Sequence, residues 1–324
     1  MKTLGVCIPT YRRPEFLARC LASIIDQAGD LAVEVFVADD SCSDVNTSVI
    51  EAARSRFPTL RYHRNDSNLG INENIRRVVE LADTDYVWLV GEDDFFLAGA
   101  LAKVCAAIEA ADGPFVMCNY ALVGDEESTA RRVALDVSVD AALTAEAFIR
   151  RHLWSAGFIG GCVIHLGTWR RVASDRYHGT YYAHVGHIVE MLARPDQPMP
   201  ILATPLVANR AEAPEFFTWR SDALGVFFGF ERMCQIAAAA VPALGPALVE
   251  AALVYREKQH YLTTRYLARM RADGIMDFPA YRRHLQPAAL PHMTRLTALA
   301  MVLLPQMLFR AALGGKRWLR ARLG

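Results

Sequence analysis

Residues 4–27, LGVCIPTYRRPEFLARCLASIIDQ, change periodicity half-way. Leu4–Ile8 is a short apolar run of the kind that forms a buried strand. Glu15–Gln27 instead sets Phe16, Leu17, Cys20, Leu21, Ile24 and Ile25 on one helical face. The same alternation repeats outward from this pair. Val33–Ala38, Leu60–His63, Tyr86–Val90 and Phe115–Cys118 read as strands, and Asp44–Arg56, Ile71–Ala82 and Ala98–Ala111 read as helices. Strands alternating with helices predict an α/β fold, a mostly parallel sheet flanked by helices. In such sheets ligands sit beyond the carboxyl ends of the strands. The segments just past those ends are Pro9–Pro14, Asp39–Asp44, Asn65–Asn74 and Gly91–Asp94, all rich in polar, ionisable or glycine residues.

The chain of 324 residues suffices for one large domain or a core domain with a smaller appendage. With 53% hydrophobic and 22% charged residues it can bury a sizeable core, which argues against disorder. Net charge is zero but unevenly spread. From Glu250 onward thirteen Lys/Arg face four Asp/Glu, leaving 22 positives against 31 negatives in the first 249 residues. A basic end suggests an anionic partner there. The seven cysteines are an odd, scattered set without a CxxC pair, so a reducing compartment is expected, with neither disulfides nor a zinc site. The first residues, MKTLGVCIPTYRRPE, are interrupted too soon by Pro9 and Arg12 to read as a signal peptide. No predominantly apolar run reaches the ~18–20 residues that span a bilayer.

Glu92, Asp93 and Asp94 follow an apolar strand after one glycine. Adjacent carboxylates there can favour the start of a helix, stand in solvent, or bind a divalent cation. Hard oxygen ligands suit Mg²⁺ or Mn²⁺, and Mg²⁺ uses one or two carboxylates together with substrate phosphates, so a metal-bound diphosphate is the leading reading. Asp39 and Asp40 end the second strand and either shape a turn or accept hydrogen bonds from a base and a ribose. No GxGxxG follows the first strand and no GxxxxGK[ST] occurs, which disfavours a dinucleotide-dependent dehydrogenase and a P-loop enzyme.

Three runs, GVCIPTYRRPEFLARCLASIIDQ, EVFVADDSCSD and NDSNLGINENIRRVVELADTDYVWLVGEDD, together resemble the family 2 glycosyltransferases of the GT-A fold over about residues 3–120. GGCVIHLGTWRRV and PLVANR are weaker matches further on, and the GEDD form resembles the abequosyltransferase subgroup. The resemblance implies a GT-A, Rossmann-like sheet and an enzyme that moves a sugar from a nucleotide-diphosphate donor to a saccharide or lipid-linked saccharide, with inversion, in surface polysaccharide synthesis. It implies nucleotide-sugar contacts from Pro9, Thr10, Tyr11 and Arg12, from Asp39 and Asp40, from Asn68 and Asn74, and from Glu92 and Asp93. It also implies that Asp93 and Asp94 hold Mn²⁺ or Mg²⁺. The sequence departs at Gly91, where the family has an aspartate whose ribose contact would shift to Glu92. No nucleic-acid partner is expected.

The family usually places an acidic pair at the start of a helix in its second half, and here that position reads His184–Val185 within YYAHVGHIVEMLAR. A histidine titrates near neutrality, so His184 is the expected base on the acceptor hydroxyl, with Glu190 and Asp175 behind it and a purely structural histidine as the alternative. Residues 1–235 are expected to form the catalytic body, a nucleotide-sugar half to 120 and an acceptor half from 121, with 236–324 a helical extension. The end, LTALAMVLLPQMLFRAALGGKRWLRAR, fits either a helix in a membrane interface or one packed on the body, so a cytoplasmic protein is expected, peripheral at the membrane on the first reading. Two other functions share these features: a sugar nucleotidyltransferase, which would normally carry a glycine-rich loop after the first strand, and a sugar-nucleotide-binding module without catalysis.

Overall fold

The computed structural model describes residues 1–110, 112–123, 130–172, 175–193, 198–210 and 222–313, without the side chains of 130–132 and 210. Its first part alternates as the sequence reads: β1 (Leu4–Thr10), α1 (Pro14–Ala28), β2 (Val33–Asp39), α2 (Thr47–Arg56), β3 (Arg61–Arg64), α3 (Ile71–Leu81) and β4 (Tyr86–Leu89). Pro14 opens α1, where a missing N–H leaves no bond unmade. Gly70 takes φ +79° just before α3, a left-handed conformation open to glycine without steric cost.

β1 pairs in parallel with both β2 and β4, and β2 pairs in parallel with β3. The register sets Thr10 beside Asp39 and Asp39 beside Arg64, while Leu89 at the end of β4 lies beside Cys7. All four strands therefore finish on one edge, with β4 finishing lower. The acids after it sit beneath the loop that follows Thr10.

The second part contains β5 (Phe95–Phe96), α4 (Ala100–Ala110), β6 (Phe115–Val123), β7 (Ala130–Val133), β8 (Ala141–Leu143), α5 (Ala145–His152), β9 (Cys162–His165), α6 (Leu166–Val172), α7 (Ala183–Met191) and β10 (Met199–Arg210). Among the described residues one sheet runs in the order β3-β2-β1-β4-β9-β6-β10-β5, with β7 on β6 and β8 on β10. β9 is antiparallel to both β4 and β6, and β10 is parallel to β6, so β6 and β10 end on the same edge as β1 to β4. The sheet is parallel through its first four strands and mixed beyond them. At its centre Trp88 is fully buried, its indole donating to the Gly160 carbonyl at 2.8 Å and meeting Phe96 edge-on at 4.5 Å.

The helices that follow include α8 (Ala223–Ala240), α9 (Gly245–Gln259), α10 (Thr264–Asp273), α11 (Phe278–Ala280) and α12 (His292–Leu303). Phe227, Phe230 and Met233 of α8 join Leu248 and Tyr255 of α9 in the main core. Residue 235, expected as a boundary, thus lies inside a helix of the body. Residues 245–273 form two helices, parted at His260 with φ +54°. Leu267, Met270, Leu285, Ala298 and Met301 form a second, smaller cluster between α10 and α12. Pro305 separates α12 from a further helix, Gln306–Leu313, and the two meet at 100°. The basic end with Lys316, Arg317, Trp318, Arg320 and Arg322 lies outside the described residues.

Candidate active site

The loops beyond β1, β2 and β3 are laced together by side chains. Pro9 and Thr10 are buried at the end of β1. The chain then turns at Arg12, with φ +54°, whose N–H donates to Ser41 Oγ at 2.8 Å while its guanidinium lies 5.2 Å from the centre of the Tyr11 ring. Asp39 is wholly buried. Its Oδ1 accepts the Ser41 N–H at 2.8 Å, and its Oδ2 accepts from Asn46 Nδ2 at 3.0 Å and from the Tyr62 hydroxyl at 2.9 Å. Asp40 accepts from Asn65 Nδ2 at 2.8 Å, the Leu69 N–H at 3.0 Å and the Gly70 N–H at 2.9 Å. Asn74 donates to the Ala38 carbonyl at 3.1 Å and accepts from Asn65 at 2.9 Å. Asn68 is exposed and accepts the Gly70 N–H at 2.9 Å. Asp39, Asp40, Asn68 and Asn74 do meet at one edge. The two aspartates and Asn74 spend their hydrogen bonds on the loops themselves, so a nucleotide would meet the surface they shape.

The acids after β4 are differently placed. Arg13 Nη1 stands 3.0 Å from Asp93 Oδ2 and 3.4 Å from Glu92 Oε1. Asp94 is buried, and its Oδ1 accepts from Asn209 Nδ2, on β10, at 3.0 Å. Burial, and then the charge of Asp93, push the Glu92 carboxyl up to about 8, with Arg13 opposing. The same two causes hold the Asp94 carboxyl well above the usual carboxylate range, against the pull of Asn209. Sequence reasoning favoured Arg12 over Arg13 and passed over Asn209. The doubled arginine and the match at PLVANR were the available signals.

Gly91 explains how these acids can hold an ion. A Cβ on residue 91 would stand 3.0 Å from both Asp93 Oδ1 and Asp94 Oδ2, so glycine keeps the space between two carboxylate oxygens open. Two such oxygens suit a hard divalent cation whose remaining positions go to phosphate and water. Among the described residues no group of three or more His, Cys, Asp or Glu side chains is placed to hold a metal ion by itself.

The histidine expected as base is enclosed. His184 is buried, with Nε2 3.0 Å from the Ala156 carbonyl, and burial pushes its imidazole down to about 4. His187 packs edge-on against Trp169 at 4.7 Å and Tyr177 at 5.5 Å. Every residue of α7 from Ala183 to Val189 is buried, so no side of it is left to face an acceptor. Burial and the contact with Ala156 weigh against His184 as the base on an acceptor hydroxyl. Glu190 is engaged too, accepting from the Tyr177 hydroxyl at 2.6 Å. Asp175 is exposed, 3.6 Å from the Nε2 of His178.

The mixed α/β sheet, with polar loops and carboxylates gathered on one strand edge, has the GT-A type of fold. Residues 5–164 match the family model for Glycosyl transferase family 2, and the chain belongs to that family; it is a glycosyltransferase. Abequosyltransferase RfbV of Salmonella typhimurium is 27% identical over 227 residues, 66% of this chain and 68% of that one. The GalNAc(5)-diNAcBac-PP-undecaprenol beta-1,3-glucosyltransferase of Campylobacter jejuni is 32% identical over 106 residues, 32% of this chain and 34% of that one. The structure of S. aureus TarS in complex with UDP-GlcNAc covers 97% of this chain and 92% of its own at a TM-score of 0.60 and 11% identity, a likeness of fold.

Proposed function

We propose that the protein transfers a sugar, with inversion, from a nucleotide-diphosphate donor to a saccharide or lipid-linked saccharide acceptor in surface polysaccharide synthesis. The observation that carries this reading is the opening at Gly91 between the Asp93 and Asp94 carboxylates, on the strand edge where the Pro9–Pro14 loop lies. The names of the two sequence relatives support the polysaccharide and lipid-linked side of it. Asp93 and Asp94 would hold Mn²⁺ or Mg²⁺. When bound, the ion supplies a Lewis acid for the negative charge that builds on the departing diphosphate.

The protein's own groups do the rest. Arg13 tethers Asp93 and offers positive charge beside the diphosphate position. Asn209 fixes one oxygen of Asp94, which leaves the other turned to the open space. Asp40 holds the Leu69 and Gly70 amides and so fixes the loop before α3 against the donor cleft. A thermal-shift panel of UDP-, GDP-, CDP- and dTDP-sugars with Mn²⁺ or Mg²⁺ tests the reading, because a ligand that binds only the native state raises its apparent stability. One nucleotide should stabilise the chain in a metal-dependent manner. Stabilisation by none, or binding with no release of nucleotide diphosphate, overturns it.

The same reading places the enzyme in the cytoplasm against the anionic inner face of the membrane. Met293, Leu296, Leu303, Leu304, Met307 and Leu308 are exposed around the bend between α12 and the helix Gln306–Leu313, next to the basic, Trp-bearing end of the sequence. Apolar side chains beside a basic segment suit an anionic lipid surface. All seven cysteines are free, as the cytoplasm would keep them. The helix Ala223–Ala240 is long and apolar enough to cross a membrane, but Phe227, Phe230 and Met233 commit it to the main core. Replacing Leu303 and Met307 by Glu should release the protein from phosphatidylglycerol-containing liposomes while donor binding stays intact. Undiminished flotation of that variant would sink the membrane assignment.

A further inference from the structure

Between α3 and the loop before α7 lies a cleft of about 240 Å³, lined by Gly70, Ile71, Asn72 and Glu73 on one side and by His178 and Tyr181 on the other. His178 Nε2 is 2.5 Å from Glu73 Oε1, and Asp175 Oδ1 stands 3.6 Å from the same nitrogen. The other Glu73 oxygen is 2.7 Å from Arg76 Nη2, so the carboxylate is fixed from behind. The imidazole itself is 44% exposed, open to a ligand where His184 is shut away. Asn72 Oδ1 is shielded from solvent and without a hydrogen-bond partner among the described residues. The cleft is tied to the donor edge through Gly70, whose N–H binds Asp40 at the end of β2.

The loop that carries His178 is strained and tied down by hydrogen bonds. Gly179 takes φ +74°, and Tyr181, a bulky residue, takes φ +65°. Such a conformation costs about 1–3 kcal/mol and persists where the surroundings enforce it. They do so here. The Tyr181 hydroxyl donates to Asp222 at 2.7 Å, and the buried Thr180 donates to the Tyr177 carbonyl at 2.7 Å. Gly186 and Gly229 have no Cβ where the Tyr177 ring and the Thr180 carbonyl press against α7 and α8. Catalytic groups are effective when held this way, on a fixed loop with an orienting partner.

Building on the glycosyltransferase reading, we propose that His178 is the general base for the acceptor hydroxyl, with Glu73 as its positioning residue. Glu73 Oε1, 2.5 Å from Nε2, favours the ring proton on that nitrogen by its charge, which leaves Nδ1 to take the acceptor's proton. The acceptor oxygen forms its bond to the anomeric carbon as its proton passes to Nδ1. The bond from that carbon to the diphosphate oxygen breaks, and its electron pair leaves with the nucleotide diphosphate. Glu73 steadies the imidazolium until the proton is lost to water.

The test needs no identified acceptor, because water can take the acceptor's place. The whole chain is incubated with Mn²⁺ and the nucleotide sugar that stabilises it, and release of nucleotide diphosphate is measured. His178→Ala should lower kcat by roughly 10²–10⁴-fold, with donor affinity within about twofold and added imidazole restoring part of the rate. Glu73→Gln should lower kcat about tenfold at unchanged KM, the split expected of a positioning residue. His178→Asn, which keeps a polar group beside Glu73, guards against a folding artefact and should be as slow as His178→Ala. Full release by His178→Ala overturns the base assignment alone. A wild-type chain that binds no sugar nucleotide overturns the reading on which it rests.

Discussion

Two acidic stretches end the strands on either side of β1, on the same edge, yet they do opposite work. Asp39 and Asp40 each collect three donors from the protein, and those bonds sew the loops after β1, β2 and β3 into one surface. Among the described residues the carboxyls of Glu92, Asp93 and Asp94 share one guanidinium, one side-chain amide and the backbone amides of Gly91 and Glu92, and burial with mutual repulsion still raises the Glu92 and Asp94 carboxyls. A saturated acid builds structure. A crowded, under-partnered one is suited to a cation brought by substrate. The two histidine regions repeat the contrast, with His184 sealed in α7 and His178 exposed on a fixed loop.

The contrast is broken most sharply by removing one acid from each stretch. Asp40→Ala strands the Asn65, Leu69 and Gly70 donors, each worth about 1–3 kcal/mol when buried and unsatisfied. Urea unfolding should show a loss of about 3 kcal/mol or more. Asp93→Ala removes a repulsive neighbour and should change stability by less than ~1 kcal/mol. Equal losses would erase the distinction.

A pH series sharpens it. The Glu92 carboxyl lies at about 8 in the folded chain against 4.5 when free, so the native state binds a proton that the unfolded chain releases. Stability from this group is full below the free value and is lost as pH rises through about 8. Without divalent cation, Tm should be roughly 3–6 °C lower at pH 8 than at pH 5.5, and Glu92→Gln should flatten that fall. Scanning calorimetry that shows stability rising over this range would contradict the placement of Glu92.

The smallest effect is expected at His184. His184→Ala loses one buried hydrogen bond and some packing, about 1–2 kcal/mol. Donor turnover, followed as release of nucleotide diphosphate, should stay within about threefold of wild type. A loss of ~100-fold would return His184 to the mechanism.

The strand-to-helix switch at residues 4–27 and its repeats placed the first four strands and three helices within a few residues, because buried parallel strands and amphipathic helices leave clear periodic marks. Past residue 115 the marks fail for identifiable reasons. β6 runs on through Asn119, a polar residue that strand patterning rejects, because its side chain bonds the Leu135 and Ala203 carbonyls. β10 contains Pro200 and Pro205, and α9 ends at His260 without glycine or proline to announce it. Of the site, the clustering of four loops on one edge was legible, since parallel strands enforce it. Which acids were already saturated was not, because Asn46, Asn65 and Tyr62 reach Asp39 and Asp40 through tertiary contacts. Both histidines of α7 count as polar in the sequence, whereas the structure buries them with the rest of the helix from Ala183 to Val189.

The central claim is that the acids after β4 hold a cation with the donor diphosphate while those after β2 hold the protein. Titration calorimetry of the selected nucleotide diphosphate, with and without Mn²⁺, into wild type and Asp93→Ala tests it directly. The account predicts tight, Mn²⁺-dependent binding to wild type and loss of the Mn²⁺ dependence in a variant that remains folded. Binding to Asp93→Ala that is as tight and as dependent on Mn²⁺ as in wild type would contradict it.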